Sequence, residues 1–317
     1  LMDQPGRDRL LLEFVGTRHQ PDLTRLDADD WAALDRKAAQ HRLQPVLHAR
    51  HRDDERIPAA LRAGWQQAYR GWALASLTAQ ADLDECLGLL RAEGIEPLAL
   101  KGAWLAWCAY PEAAQRPLRD LDLLVPQDRF AEALALLQRA GFAYAEEPDL
   151  PLAELLLVDK SPPPLIARRG TPVELHFHAW FPSGRLDHYS PQPDDTGMFA
   201  RARREANGVL YPGAQDMLAH LIIHAIYGHR LDCGPLLLPD IDHLLAREAI
   251  DWGVFWGRAE REGWHRGARL VLDLVARYRT LPPIAWPSAA PPTPDALLAA
   301  AEELLLQDLD TRLSAGV

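Results

Sequence analysis

A chain of 317 residues with 48% hydrophobic and 25% charged side chains has an ordinary globular composition, long enough for two compact units or one domain with appendages. Its net charge of −11 argues against an extensive nucleic-acid footprint, which needs clustered cations, and no run approaches the ~18 apolar residues of a membrane span. Cys86, Cys108 and Cys233 are widely separated and odd in number, so neither a disulfide framework nor a zinc ribbon is indicated; with no signal-peptide pattern from Leu1 to Arg9, a cytoplasmic protein is expected.

The first ninety residues read as helices. Trp31, Leu34 and Ala38 fall at helical spacing after a cap-like acidic stretch, Asp27 to Asp30. A longer pattern follows through Trp65, Tyr69, Trp72, Leu77, Leu83, Leu87 and Leu90, and such indole-rich faces are assigned to packing.

After Gly94 the period changes. Ile95 to Leu100 is short, apolar and interrupted by Pro97, which suits a first or edge strand. Lys101-Gly102 makes a turn, and Ala103 to Tyr110 gives one or two helical turns before Pro111. Arg119-Asp-Leu-Asp-Leu-Leu-Val125 is then a strand whose period of two turns Asp120 and Asp122 the same way, with Leu121, Leu123 and Val125 directed into a core. Two carboxylates held so close repel and resist desolvation, so a cation between them stabilises the pair, and hard oxygen ligands favour Mg²⁺ above all. A solvated turn is the ordinary alternative for an Asp-x-Asp at a strand end.

Pro126 ends that strand, and Phe130, Ala133, Leu134 and Leu137 mark an amphipathic helix stopped by Gly141. A short strand, Phe142 to Ala145, precedes an irregular stretch, 146–170, read as a mobile connection containing Pro162-Pro-Pro164. Val173 to His178 alternates again, placing Glu174, His176 and His178 on one face, so a third carboxylate joins the two aspartates on a neighbouring strand. Only three of the 34 basic residues are lysines, Lys37, Lys101 and Lys160, and Lys101 is the one inside a motif. Helical spacing returns in Met217, Leu218, Leu221, Ile222 and Ala225, in Ile241, Leu244 and Leu245, and around Trp252 to Trp256; a Pro-rich break, Leu281 to Pro294, precedes a last helix from Asp295. The organisation is thus an N-terminal helical region (1–90), a central α+β core (91–185) and a C-terminal helical region (186–317).

Leu98-Ala-Leu-Lys-Gly-Ala103, Tyr110-Pro111, Arg116, Asp120-Leu-Asp-Leu-Leu-Val125, Ala140-Gly-Phe142 and Val173-Glu-Leu-His176 occur in an order that resembles the bacterial family of uncharacterised nucleotidyltransferases within the DNA-polymerase-β-like superfamily. The likeness covers roughly residues 30 to 265 and extends to His224, His229 and Asp240. It implies an α+β fold with a mixed sheet and flanking helices. It also implies a metal-dependent activity: transfer of a nucleoside monophosphate from an NTP, ATP among them, to an acceptor hydroxyl with release of pyrophosphate. On that footing Asp120, Asp122 and Glu174 are the expected catalytic and metal-binding residues. They would hold two Mg²⁺ ions about 4 Å apart, with Mn²⁺ as the alternative. Lys101, Gly102, Arg116 and Arg119 are the expected triphosphate contacts, with Gly102 letting backbone approach phosphate closely.

The usual Gly-Ser of the superfamily is Lys-Gly at this turn. The acceptor could be a small molecule, a peptide, a protein or an RNA end, with the acidic charge tilting away from RNA. A non-catalytic nucleotide- or partner-binding module, or transfer of a phosphate or sugar by the same metal chemistry, are the competing readings. His220, His224 and His229, near Asp240, Asp242 and His243, are assigned to packing and substrate lining, since no His-Glu-x-x-His is present. Removing Asp120 or Asp122 is expected to cost activity with little loss of fold. The catalytic reading requires Glu174 to reach metal-sharing distance of the two aspartates.

Overall fold

A computed structural model describes residues 4–181, 193–287 and 291–308. The boundary expected at 185/186 lies outside the described residues. Four helices come first: α1 (Gln4–Val15), α2 (Ala28–Gln40), α3 (Gln44–His51) and α4 (Ala59–Ala92). The acidic stretch ahead of Trp31 is a cap as expected: the Asp27 carboxylate accepts the Asp30 N–H and the Asp30 side chain answers to the Asp27 N–H, closing both ends of a capping box.

Helix α4 runs for 34 residues, about 50 Å at 1.5 Å per residue. Trp65, Leu83, Leu87 and Leu90 are buried along it, but Leu74 and Leu77 are 68% and 63% exposed. The packing expected of Leu77 therefore does not occur. Asp82 is fully buried on α4 and accepts N–H groups from Arg169 and Thr171, which ties the helix to the hairpin leading into the site.

The core contains β1 (Leu98–Ala99), α5 (Gly102–Trp104), β2 (Leu121–Leu124), α6 (Phe130–Arg139), β3 (Ala143–Tyr144), α7 (Leu152–Val158), β4 (Leu165–Ile166) and β5 (Pro172–His176). Their order in the sheet is β1-β2-β5-β4-β3, with β2 and β5 parallel and the other pairs antiparallel. The Pro97-containing segment is an edge strand, as its missing N–H demands. The stretch 146–170 is more regular than its sequence suggests: α7 lies within it, and Leu165–Ile166 pairs with both β3 and β5. Two-residue strands are too short to show a period, so neighbours decide them. The eight residues after Lys101 begin as an α turn and continue as a π turn, Leu105–Ala109.

Beyond the core lie a two-stranded ribbon, β6 (Arg203–Arg204) and β7 (Leu210–Tyr211), then α8 (Ala214–Ile223), α9 (Leu237–Arg247), α10 (Trp252–Arg261), α11 (His265–Tyr278) and α12 (Asp295–Leu305). A second π turn, His224–Gly228, extends α8. One continuous apolar cluster joins all three regions, with Trp65, Trp104 and Trp264 fully buried in the N-terminal, central and C-terminal parts respectively. The fold is α+β, a small mixed sheet flanked by helices.

Candidate active site

Parallel pairing of β2 with β5 sets Asp122 directly beside Glu174. Because side chains alternate, the two carboxylates leave the sheet on one face, followed two residues later by His176. Lys101 arrives from the other side of β2: the Leu100 N–H donates to the Asp122 carbonyl at 2.9 Å, and the Lys101 ammonium donates to Asp122 Oδ1 at 3.1 Å. Lys101 adopts φ 40°, a left-handed conformation that L-residues avoid unless their surroundings impose it.

Lys160 enters through its backbone. Its carbonyl accepts the N–H groups of Phe177 and His178 at 3.0 and 3.2 Å just past β5, which brings its ammonium to 3.6 Å from Glu174 Oε2. The sequence marked Lys160 only by its rarity, since the segment carrying it has no readable period.

His176 is fully buried, with Nε2 at 2.9 Å from Asp122 Oδ1 and 3.3 Å from Glu174 Oε2. Its Nδ1 is buried without a partner among the described residues, so the ring proton belongs on Nε2, where it holds the two carboxylates together. His178, expected on the same face, lies past the strand and pairs with Asp195 at 3.3 Å.

The two aspartates differ in electrostatics. Burial pushes Asp122 up, but Lys101 and the His176 hydrogen bond outweigh it and hold the carboxyl well below the usual range. Asp120 is raised, first by burial and then by repulsion from Asp122 and Glu174, which Lys101 and Arg119 do not offset. Glu174 is lowered, chiefly by His176. Burial and the neighbouring Lys101 charge lower Lys160.

A cavity of about 590 Å³ opens over these residues. Lys101, Gly102, Arg116, Arg119, Asp120, Asp122 and Glu174 all line it, so the residues expected to hold metal and triphosphate border one space. Their engagements differ. Arg116 grips Asp240 on α9 with two N–H groups, at 3.2 and 2.9 Å, while the Tyr110 hydroxyl donates to the same carboxylate at 2.7 Å. The close approach at Gly102 is to protein: a Cβ there would lie 2.6 Å from Leu118 Cδ1 and 2.9 Å from Arg116 Nη1. Arg119 is exposed beside Asp120.

The opposite wall belongs to helices. His224 on the π turn and His229 just past it, their rings 4.2 Å apart, face the cavity with Leu221 and Leu237; His41 and Arg42 reach it from the end of α2. Burial lowers His224 well below the ordinary imidazole value and lowers His229 too, so these two rings are uncharged at neutral pH. Asp242 is drawn to Arg279 at 2.7 Å and Asp240 to Arg116. The contribution of α2 could not be seen in the sequence, where nothing links residue 41 to the strand ends.

A family model described as an uncharacterised nucleotidyltransferase matches residues 27–280, most of the chain. The chain belongs to that family. The match starts at the N-cap of α2 and ends just after α11, so the helical regions on both sides of the sheet are part of the family unit. Among curated proteins and among solved structures, none matches the chain significantly. Membership in this nucleotidyltransferase family supports a transferase acting on a nucleotide. No helix among the described residues is long and apolar enough to cross a membrane.

The donor chemistry fits a metal. Asp122, Glu174 and His176 each offer an atom within 4.8 Å of the others, which meets the distance requirement for Glu174 against Asp122. Asp120 is outside that group yet near enough for both acids to raise it. Three carboxylates with two lysine ammoniums drawn onto them form a site that attracts positive charge, and oxygen-rich sets of this kind suit hard divalent ions.

Proposed function

We propose that the protein is a metal-dependent nucleotidyltransferase that moves a nucleoside monophosphate from an NTP to an acceptor hydroxyl. The observation that carries this reading is the side-by-side register of Asp122 and Glu174, with Asp120 preceding, at the floor of a cavity that also carries five cationic side chains: Arg42, Lys101, Arg116, Arg119 and Lys160. Asp120, Asp122 and Glu174 would hold Mg²⁺, which when bound supplies charge neutralisation at the polyphosphate and makes an acceptor hydroxyl more acidic.

The chain's own residues do the positioning. His176 keeps Asp122 and Glu174 at a fixed separation, and Lys101 and Lys160 balance their charge from opposite sides of the strand pair. The acceptor oxygen forms a bond to the α-phosphorus, the bond from that phosphorus to the bridging oxygen breaks, and pyrophosphate leaves with the electron pair. Glu174, the most exposed member of the group bringing it together with Asp122 and His176, takes the acceptor proton. The uncharged rings of His224 and His229 leave room for the nucleoside or the acceptor.

The test is pyrophosphate release from each NTP with Mg²⁺ and fractionated small molecules and peptides as acceptors. Wild-type turnover that disappears in Asp120→Asn supports the reading. A nucleoside diphosphate product would instead mean transfer of another group, and tight NTP binding without turnover would mean a binding module.

A further inference from the structure

Two cavities meet at one ion pair. Lys160 and Glu174, 3.6 Å apart, line the cavity of about 590 Å³ over the strand ends and also a second cavity of about 370 Å³, so the pair stands as a partition between them. Asp120 and Asp122 border only the larger space. Glu174 is thus the carboxylate that both spaces share.

The smaller cavity is built from a segment fastened at both ends. The Lys160 carbonyl accepts the N–H groups of Phe177 and His178, and the Pro164 carbonyl accepts that of Ala145 at 2.9 Å. Between these points run Pro162 to Pro164, whose rings fix φ and which carry no N–H. A wall so constrained loses little freedom when a ligand settles on it. Leu155 of α7 and the half-exposed Leu150 complete its apolar lining.

The two spaces differ in chemistry. The larger one gathers cations, whereas Lys160 is the one cation of the smaller, and it is drawn onto Glu174. Asp149 and Asp159 add two carboxylates, Asp149 exposed and Asp159 accepting the Lys160 N–H at 2.8 Å. Acceptors therefore outnumber donors among its side chains, with the Ser161 hydroxyl the other donor. Such a lining repels a polyphosphate and suits a ligand that brings N–H and O–H groups and positive charge. Its volume is at the small end of the range for small-molecule sites.

Nucleotidyl transfer needs two approaches to one phosphorus. In an in-line displacement the attacking and leaving oxygens lie on opposite sides of it, so the acceptor cannot enter by the path that the triphosphate fills. We infer that the smaller cavity is the acceptor subsite and that it takes a small amino alcohol. The hydroxyl reaches Glu174, the ammonium faces Asp149 and Asp159, and the carbon body lies on Leu150, Leu155 and the prolines. The hydroxyl proton passes to Glu174 as its oxygen bonds to the α-phosphorus and pyrophosphate leaves with the electron pair. The inference rests on the nucleotidyl-transfer reading and narrows its acceptor to one class, leaving out an anionic RNA end.

Phenylalaninol is the probe, since it joins a hydroxyl, an ammonium and an apolar ring. Its binding to the full chain is measured by calorimetry in Mg²⁺ with the tightest-binding non-hydrolysable NTP analogue, beside N-acetylphenylalaninol, which lacks the charge, and phenyllactate, which reverses it. Phenylalaninol should bind tighter than the acetylated form by about fivefold or more, the scale of one exposed charge contact, and phenyllactate should be weakest. Leu150→Trp fills the rim and should weaken phenylalaninol by about tenfold or more, as a misfitting pocket group does. Asp149→Lys should weaken it by about fivefold. Both positions are exposed, so the melting temperature and the affinity for the NTP analogue should stay at wild-type values.

The inference is overturned by an absence of saturable phenylalaninol binding, by equal binding of the acetylated compound or phenyllactate, or by a Leu150→Trp variant that loses the NTP analogue instead. If phenylalaninol binds as expected but no NTP releases pyrophosphate with any acceptor, the transfer reading fails while the subsite stands. If wild type transfers to a short RNA with a free 3′-hydroxyl and Leu150→Trp keeps the KM for that RNA, the transfer reading stands and the subsite fails.

Discussion

At Asp240 one carboxylate meets one guanidinium and one phenol, and both of its oxygens are satisfied; at the ends of β2 and β5 three carboxylates meet two lysines and an imidazole. Both assemblies face the same cavity. The first is closed: it joins the core to α9 and leaves no charge without a counterpart. The second is open, because Asp120 stays raised by burial and by the other two acids despite its cationic neighbours. A balanced buried pair is what structure needs, whereas carboxylates in excess of their cations persist where a further cation is to be received.

The largest expected effects fall on the open assembly. Asp120→Asn or Asp122→Asn should lower pyrophosphate release on the order of a thousandfold or more, the several kcal/mol of charge stabilisation that a bound metal supplies. The two variants should differ in stability. Asp122 is buried with Lys101 on one oxygen, so its loss leaves a buried ammonium without its counter-charge and should lower the melting temperature. The sequence alone suggested little loss of fold for either aspartate; the pairing of Asp122 with Lys101 and His176 separates them.

The closed assembly should answer in the opposite currency of measurement, folding before chemistry. Asp240→Ala strands Arg116, whose side chain is only 18% exposed, and breaking such a pair costs about 3–5 kcal/mol in denaturant unfolding. If Asp240→Ala kept wild-type stability and lost only activity, Asp240 would belong with the catalytic acids and the comparison would collapse. Gly102→Ala tests the contact between the two assemblies. Its Cβ would meet Leu118 and Arg116 at 2.6 and 2.9 Å, so a loss of about 1–3 kcal/mol is expected from overpacking.

Much of the open assembly was legible in the sequence, since it depends on local period and register. Asp120, Asp122 and Glu174 announce themselves as acids on alternating apolar segments, and Lys101 precedes a turn that the strand pairing then holds beside Asp122. The closed assembly was not legible as such. Arg116 and Asp240 are 124 residues apart, and an arginine that ends on a carboxylate looks in sequence like one that ends on a phosphate. Lys160 was hidden differently: its place is set by its carbonyl, which accepts two N–H groups beyond β5, and no side-chain pattern encodes that. Arg42 depends on the way α2 packs against the Gly234 loop, a contact between distant segments that chain order does not reveal.

The smallest expected effect has the most particular sign. Asp120 has a folded-state pKa raised above its unfolded value near 3.9, so the folded form binds its proton more tightly than the unfolded one. Stability conferred by that difference is present at low pH, where the group is protonated in both states' working range, and is lost as pH rises from the unfolded value through the raised folded value. Asp120→Asn removes the dependence. In a metal-free buffer with chelator the variant should therefore be more stable than wild type at neutral pH by about 0.5–2 kcal/mol, the usual gain from relieving unfavourable charge. The advantage should shrink steadily as pH falls through that window. Asp122→Asn should show the reverse, since its lowered pKa contributes stability that is present above the unfolded value and lost only as pH falls below it. Adding Mg²⁺ should raise the melting temperature of wild type more than that of Asp120→Asn, because only wild type offers all three carboxylates. Parallel pH profiles for the two aspartate variants would mean that the site treats both acids alike, and the open assembly would lose the asymmetry that distinguishes it from the closed one.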